Sequence, residues 1–91
     1  SLRDRAVRLR EVFAELAPDA VVLVGGDTSR AVADALGVES LEPVAELLPG
    51  CPGSRVWGGL LDGRWMVNQA GAFGERRTLL EILHRLRARA D

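Results

Sequence analysis

The stretch that most constrains the fold is a run of aliphatic residues that ends in two glycines. Residues 21–24 read Val-Val-Leu-Val, and Gly25-Gly26-Asp27-Thr28-Ser29 follow before a helical pattern begins. A short, unbroken apolar run rich in β-branched residues is typical of a buried strand in a parallel sheet. The sequence therefore predicts a strand that turns sharply into a helix, with Thr28 or Ser29 as the helix cap.

A glycine pair at such a turn leaves backbone N–H groups uncovered. The amides of Gly25, Gly26 and Thr28, with the positive end of the helix dipole, would attract an anion, most often a phosphate. The hydroxyls of Thr28 and Ser29 could add donors. Asp27 could accept from ribose hydroxyls, hold a water on Mg²⁺ or cap the helix, and we favour the cap. A tight turn without a ligand explains the same residues about equally well, so this turn alone does not identify a site.

A second turn of the same kind comes later in the chain. Asp62-Gly63 separates two runs that contain Val, Trp, Leu and Met, which predicts a hairpin of residues 55–61 and 64–69. Its second strand ends at Gln69 and leads through residues 70–74, Ala-Gly-Ala-Phe-Gly, into a last helix. If the two strands are parallel, both turns leave one carboxyl edge, where open α/β sheets bind ligands. Amides from Gly71 to Gly74 would then hold another part of the same ligand.

The other segments complete an α/β domain with a small mixed sheet and flanking helices. The first helix spans residues 1–17, and Gly37 ends the second. The last helix begins at Glu75. Hydrophobic periodicity predicts that the first and last helices each bury an apolar stripe: Ala6, Leu9, Val12, Phe13 and Leu16 in the first, and Leu79, Leu80, Ile82, Leu83 and Leu86 in the last.

The middle of the chain has a weaker pattern. Pro43 excludes a central strand from residues 38–48, which we interpret as a loop and an edge strand. Residues 48–54, Leu-Pro-Gly-Cys-Pro-Gly-Ser, read as a rigid, turn-rich loop. Gly50 and the prolines beside it could form a wall of a site, although a plain connector fits the same residues.

Composition removes several classes of function. All twelve basic residues are Arg, which excludes a Walker-type P-loop and Schiff-base chemistry because both need Lys. A net charge of −1 argues against a nucleic-acid partner, and no apolar run approaches the roughly 20 residues of a membrane span. The single cysteine, Cys51, can form no internal disulfide and gives no metal-ligand spacing. We therefore expect a cytoplasmic protein with no metal held by its side chains.

With both turns in place, the chain resembles the C-terminal nucleotide-binding domain of the four-carbon acid sugar kinases, a family once known only as a domain of unknown function. The resemblance covers about residues 20–83. It rests on the order and spacing of four motifs: Gly25-Gly26-Asp27-Thr28, Leu36-Gly37, Pro49-Gly50-Cys51-Pro52 and Ala70-Gly71-Ala72-Phe73-Gly74.

The resemblance implies an ATP-dependent kinase that uses Mg²⁺ and phosphorylates a hydroxyl of a sugar acid of the threonate or erythronate type. Residues 1–91 would form a single nucleotide-binding domain, a C-terminal fragment of a larger two-domain kinase. The sugar acid would bind through an N-terminal domain that these residues lack, so we expect no catalytic residue here and no activity from this segment alone. The chain could pair with a second copy, and the sequence leaves the oligomeric state open.

Together the two turns and the resemblance give a set of nucleotide-binding residues: Gly25, Gly26, Asp27, Thr28, Ser29, Gly50, Gln69, Gly71 and Gly74. Gln69 departs from the family, which usually has Lys there, and an amide makes a weaker hydrogen bond than a charged group. Arg30, Arg76 or Arg77 could supply the lost charge, or could be solvated helix residues. An alternative function therefore stays open, a nucleotide- or small-molecule-binding regulatory module without phosphoryl transfer. A purely structural α/β domain is the weakest interpretation.

Overall fold

The computed structural model describes residues 1–69 and 76–90, of which residues 2, 76, 77 and 90 are described as backbone alone. Four strands form one sheet in the order β1-β4-β3-β2. The predicted α/β class, a small mixed sheet with flanking helices, is confirmed. The elements in chain order are α1 (Leu2–Leu16), β1 (Ala20–Val24), α2 (Gly26–Ala35), β2 (Ser40–Leu48), β3 (Cys51–Trp57), β4 (Trp65–Gln69) and α3 (Arg76–Ala90).

The two strands that precede the glycine-rich turns are neighbours and parallel, which was the condition for a shared edge. Val21 lies opposite Met66, and Val24 lies opposite Gln69. Both strands therefore end at the same carboxyl edge of the sheet. The N–H of Gly25 donates to the carbonyl oxygen of Gln69 at 3.0 Å, which joins the two strand ends directly.

Helices cover both faces of the sheet. On one face α1 and α2 lie over a core that includes Leu36, Val56 and Met66, and Leu9 and Phe13 of α1 pack against it. On the other face Ile82 of α3 packs with Leu47, Cys51 and Val67. Met66 and Val67 are consecutive and fully buried on opposite faces, as the alternation of a strand requires. Among the described helices, none has both the length and the apolar character needed to cross a bilayer.

Both terminal helices bury less than the sequence predicts. In α3 Ile82 is buried and Leu86 half-buried, and in α1 Leu9 and Phe13 are half-buried. A helix resting on a small sheet contacts it along a line about one residue wide per turn, so apolar residues beside that line stay in solvent. The predicted core residues that are exposed are Val12 and Leu16 in α1 and Leu79, Leu80 and Leu83 in α3.

The loop predicted for residues 48–54 is wrong over most of its length. Pro49 and Gly50 form a turn, and Cys51 already begins β3, an interior strand. The strand tolerates Pro52 because the ladder to β4 begins one residue later, where Gly53 lies opposite Val67. The missing N–H of Pro52 therefore costs no bond to β4. As predicted, β2 is an edge strand, and its pairing with β3 is irregular after Pro43.

The predicted hairpin is present as the antiparallel pair β3 and β4, but its connection spans residues 58–64. Asp62 and Gly63 lie inside this connection. The carboxylate of Asp62 accepts from the Gly58 N–H at 2.7 Å. The N–H of Leu60 donates to the carbonyl oxygen of Leu36 at 3.0 Å, which fixes the connection to the end of α2. The prediction that Asp62 and Gly63 alone connect the two strands was therefore wrong, because the connection is longer.

Candidate functional site

The helix α2 begins at the carboxyl edge without a side-chain cap. Gly25 is the N-cap residue, with φ 90° and ψ 140°, and no side chain hydrogen-bonds there. The predictions of Thr28, Ser29 or Asp27 as the cap were wrong, because the helix starts at Gly26 and all three lie after the cap position. The hydroxyl of Ser29 instead donates to the carbonyl oxygen of Gly25 at 2.9 Å.

The first turn of α2 presents free backbone donors. The N–H groups of Gly26, Asp27 and Thr28 have no acceptor among the described residues. The N–H of Gly25, which we predicted to face a ligand, is occupied by the carbonyl of Gln69. The anion-binding potential therefore belongs to the three amides after Gly25, supported by the positive end of the helix dipole.

The first of these residues, Gly26, lines one end of a cleft of about 440 Å³ between α2 and the sheet, which we name the α2 cleft. Its helix side includes Gly26, Ser29, Arg30 and Ala33, which recur at three- and four-residue spacing and so share one helix face. The complete lining is Gly25, Gly26, Ser29, Arg30, Ala33, Leu41, Gly50, Pro52, Met66, Asn68 and Gln69.

The α2 cleft changes character along its length. From Gly26 to Ala33 the helix rises about 10 Å at about 1.5 Å per residue. One end of the cleft lies at the carboxyl edge of the sheet, and we call it the mouth. Gly26 and Gln69 line the mouth, where backbone amides are available. At the other end, which we call the floor, Ala33 faces the sheet residues Leu41 and Met66, which are apolar. The cleft therefore combines donors at its mouth with an apolar floor, the usual composition of a small-molecule site.

The structure brings together part of the residue set predicted from sequence. Gly25, Gly26, Ser29, Gly50 and Gln69 line the α2 cleft, and Gln69 is buried. Asp27 and Thr28 are exposed on the first turn of α2 and do not line the cleft. The predicted residues Gly71 and Gly74, and the side chains of Arg76 and Arg77, lie outside what the structure describes.

Sequence reasoning missed the residues that form the walls below the mouth: Ala33, Leu41, Met66 and Asn68. The helical period of α2 could have identified Ala33, but Leu41 joins the site only through the sheet order. Asn68 follows Met66 by two residues and so points to the same face as α2. Its side-chain oxygen is buried, and among the described residues no donor reaches it.

The electrostatics of the cleft are simple. Arg30 is the one charged side chain in its lining, as far as the described residues show. Cys51 follows Gly50 but is buried, and burial together with the nearby Glu46 carboxylate raises the pKa of its thiol. A thiol with a raised pKa stays protonated at neutral pH and is a poor nucleophile. Within residues 1–69 and 76–90, no three His, Cys, Asp or Glu side chains form a group that could hold a metal ion.

Comparison with known proteins identifies relatives of the whole fold. A family model described as a nucleotide-binding C-terminal domain matches residues 4–79. A 3-oxo-isoapionate kinase from Paraburkholderia graminis is 40% identical over 57 residues, which make up 60% of this chain and 12% of that protein.

Solved structures agree with the sequence match. Two crystal structures of a domain of unknown function (DUF1537) from Bordetella bronchiseptica, each described as a domain-swapped dimer with bound citrate, match with TM-scores of 0.74 and 0.77. The respective identities are 35% and 30%, and each match covers 90% of this chain. The chain corresponds to 22% and 20% of those two chains. It therefore spans less than a quarter of the length of the kinase and of each crystallised protein.

Proposed function

The chain belongs to the family of nucleotide-binding C-terminal domains, as its resemblance to the four-carbon acid sugar kinases predicts, and we propose that it holds ATP for a sugar-acid kinase. The observation that carries this proposal is the set of unoccupied amides at the start of α2. Gly26, the first of them, lines a cleft at the carboxyl edge of two parallel strands, the edge where α/β sheets bind ligands.

The gradient along the α2 cleft supports one orientation of the nucleotide. The base would lie on the floor against Leu41 and Met66, since a purine has two apolar faces. The phosphates would lie at the mouth, where the amides of Gly26 and Thr28 can donate to their oxygens. The Gly71 and Gly74 amides would complete the phosphate site, as proposed from the sequence.

The residues fit an anionic ligand with one exception. Asp27 stands in the first turn of α2, and its carboxylate repels phosphate unless a cation lies between them. Mg²⁺ bound with the nucleotide would offset this repulsion, and the Asp27 carboxylate would accept from a water molecule of that ion. Ser29 would form part of the cleft wall without donating to a phosphate, because its N–H and its hydroxyl both donate to the carbonyl oxygen of Gly25.

Bound ATP supplies the γ-phosphoryl group, which would pass to a hydroxyl oxygen of the acceptor and leave ADP. Such transfers depend mostly on positioning and on stabilisation of charge. In this scheme the amides at the start of α2 hold the donor in place. Gly50, whose N–H donates to the Glu46 carboxylate at 2.8 Å, forms part of the cleft wall. The acceptor, a four-carbon sugar acid of the threonate or erythronate type, would bind to a domain outside these residues. The relative named as a 3-oxo-isoapionate kinase supports transfer to a sugar acid, and the domain-swapped dimer supports a homo-oligomer.

Calorimetric titration of the folded chain with Mg-ATP tests the binding step. We expect saturable heat for ATP and a much weaker response to inorganic sulfate at the same concentration, because sulfate can bind the amides but lacks the base that the floor would contact. Circular dichroism and a cooperative thermal transition establish beforehand that the sample is folded. A folded sample that gives no heat at millimolar Mg-ATP contradicts the proposal.

A regulatory module without phosphoryl transfer is the second candidate. It is favoured by Gln69, which stands where the resemblance implies Lys and is buried beside the cleft mouth. The two candidates make different predictions for the proposed two-domain protein. If the protein is a kinase, we expect ADP to accumulate when ATP and threonate or erythronate are supplied. The regulatory module predicts ATP binding without ADP formation under the same conditions.

A further inference from the structure

The cationic residue of the α2 cleft is Arg30. It is the fifth residue of α2 and lies four residues beyond Gly26 on the same helix face. Along the cleft it therefore stands between the free amides at the mouth and the apolar floor that begins near Ala33. With the base on the floor and the phosphates at the mouth, a guanidinium at this position would lie beside the part of the nucleotide that joins the two.

Arg30 also has its donors free. It makes no hydrogen bond or ion pair with any described residue, although Asp27 and Asp34 stand at helical spacing on either side of it. Other arginines are engaged in the fold: Arg10 donates to the carbonyl of Ala35 and Arg64 to that of Pro18. Solvated arginines of α1 have free donors as well, but among the arginines that the structure describes only Arg30 shares a cleft wall with unpaired backbone amides.

We propose that Arg30 binds the phosphate nearest the ribose and supplies the positive charge that Gln69 cannot. This inference rests on the proposed function, because it requires a nucleotide in the α2 cleft. A guanidinium presents two parallel donors that match two oxygens of one phosphate. Arg30 is exposed, so salt should weaken this attraction. The amides at the start of α2 are left for the phosphates farther from the ribose.

Replacement of Arg30 by Gln tests the proposal with three probes: ATP, AMP and adenosine. We expect the affinity for ATP and for AMP to fall about tenfold or more, since a hydrogen bond to a charged group is lost. Adenosine has no phosphate, so its binding, followed by chemical shifts in NMR, should not change. Arg30→Lys keeps the charge but loses the paired donors, and its affinities should lie between those of the wild type and Arg30→Gln.

Arg8→Gln is the matched control. Arg8 is an exposed helical arginine of α1 that does not line the α2 cleft, and its replacement changes the net charge by the same amount. We expect its three affinities to equal those of the wild type. The salt dependence of ATP binding should be weaker in Arg30→Gln than in Arg8→Gln, because a direct ion contact has been removed.

A second replacement tests the relation to Gln69. Because Gln69 and Arg30 line the same cleft, Gln69→Lys should restore part of the ATP affinity lost in Arg30→Gln. Unchanged ATP and AMP affinities in Arg30→Gln would overturn the inference and leave the proposed function standing. Equal losses for adenosine and ATP would also overturn it, since Arg30 would then shape the cleft. A folded wild type that binds none of the three probes would instead overturn the proposed function, and the inference with it.

Discussion

The chain contains two Gly-Gly pairs, Gly25-Gly26 and Gly58-Gly59, and their surroundings are opposite. A Cβ built on Gly25 or Gly26 would meet no atom of residues 1–69 or 76–90 within 4 Å. A Cβ on Gly59 would lie 2.2 Å from the carbonyl oxygen of Leu36, an overlap with backbone that cannot move aside. The same dipeptide thus keeps one turn open and lets another turn pack closely, and only the neighbours in space distinguish the two.

The two glycine pairs therefore contribute to different states of the protein, one to the folded chain and the other to the proposed complex. The loop at Gly59 is fixed to the end of α2 by the Leu60 N–H, so its glycine contributes to folding. No described residue packs against the Cα of Gly26 on the side where a Cβ would stand, and in the proposed function a ligand fills this space. At a binding turn we expect residues that the fold alone would allow to change but that the bound ligand constrains.

The largest effect is expected for Gly59→Ala. The new methyl group overlaps the backbone at Leu36, and φ is +75° at this position, so we expect a loss of about 3 kcal/mol or more in the free energy of unfolding. Gly63→Ala is the control, because Gly63 also has a positive φ of 81° but an open surrounding. It should lose only about 1–2 kcal/mol in urea unfolding. Equal losses would show that close packing at Gly59 is unimportant.

Next in size is Gly26→Val, for which binding should fall while the fold persists. The side chain would extend into the mouth of the α2 cleft, where the phosphates are placed, and we expect at least tenfold weaker binding of Mg-ATP by calorimetry. Ala31→Val is the control, since Ala31 is exposed on the same helix and does not line this cleft. Unchanged affinity in Gly26→Val would move the phosphates away from this turn.

A smaller and opposite pair of effects is expected for Asn68→Leu. The buried oxygen of Asn68 lacks a donor among the described residues, so an apolar side chain of similar size should raise the free energy of unfolding by up to about 1 kcal/mol. Binding of ATP should weaken, because a polar group of the cleft is removed. Chemical denaturation and calorimetry on one sample measure both. Lower stability would indicate that a donor elsewhere in the chain holds this oxygen.

The smallest effect is expected for Ser29→Ala. Because the hydroxyl donates to the Gly25 carbonyl from inside the helix, its loss should change the free energy of unfolding by less than about 0.5 kcal/mol. Loss of a true helix cap costs typically about 1 kcal/mol. Thermal denaturation of the two proteins distinguishes these values, and a loss near the larger one would restore Ser29 as a cap.

The sequence was most informative where a local pattern decides the structure. The apolar run of residues 21–24 predicted β1, and Asp62-Gly63 between two apolar runs predicted the pairing of β3 and β4. Residues 48–54 failed because the two prolines and two glycines suggested a loop, whereas Pro52 lies at a rung where its missing N–H has no partner in β4. Such a compensation depends on the register, which no local pattern shows.

The candidate site divides in the same way. Its mouth was predicted from Gly25-Gly26 and Gln69, because glycine pairs after strands have a recognisable chemistry. Its floor was missed because Leu41 reaches α2 only through the strand order β1-β4-β3-β2. The cap was misassigned because Thr28 and Ser29 are good capping residues, whereas the cap is Gly25 and the helix begins at Gly26.

The hydrogen bond between the Gly25 N–H and the Gln69 carbonyl has a mechanical meaning. A displacement of one strand end would stretch this bond, whose donor and acceptor are 3.0 Å apart, and would therefore tend to move the other strand end. Folding therefore fixes the positions of the two strand ends from which the turns begin. A ligand would not lose binding free energy in aligning them.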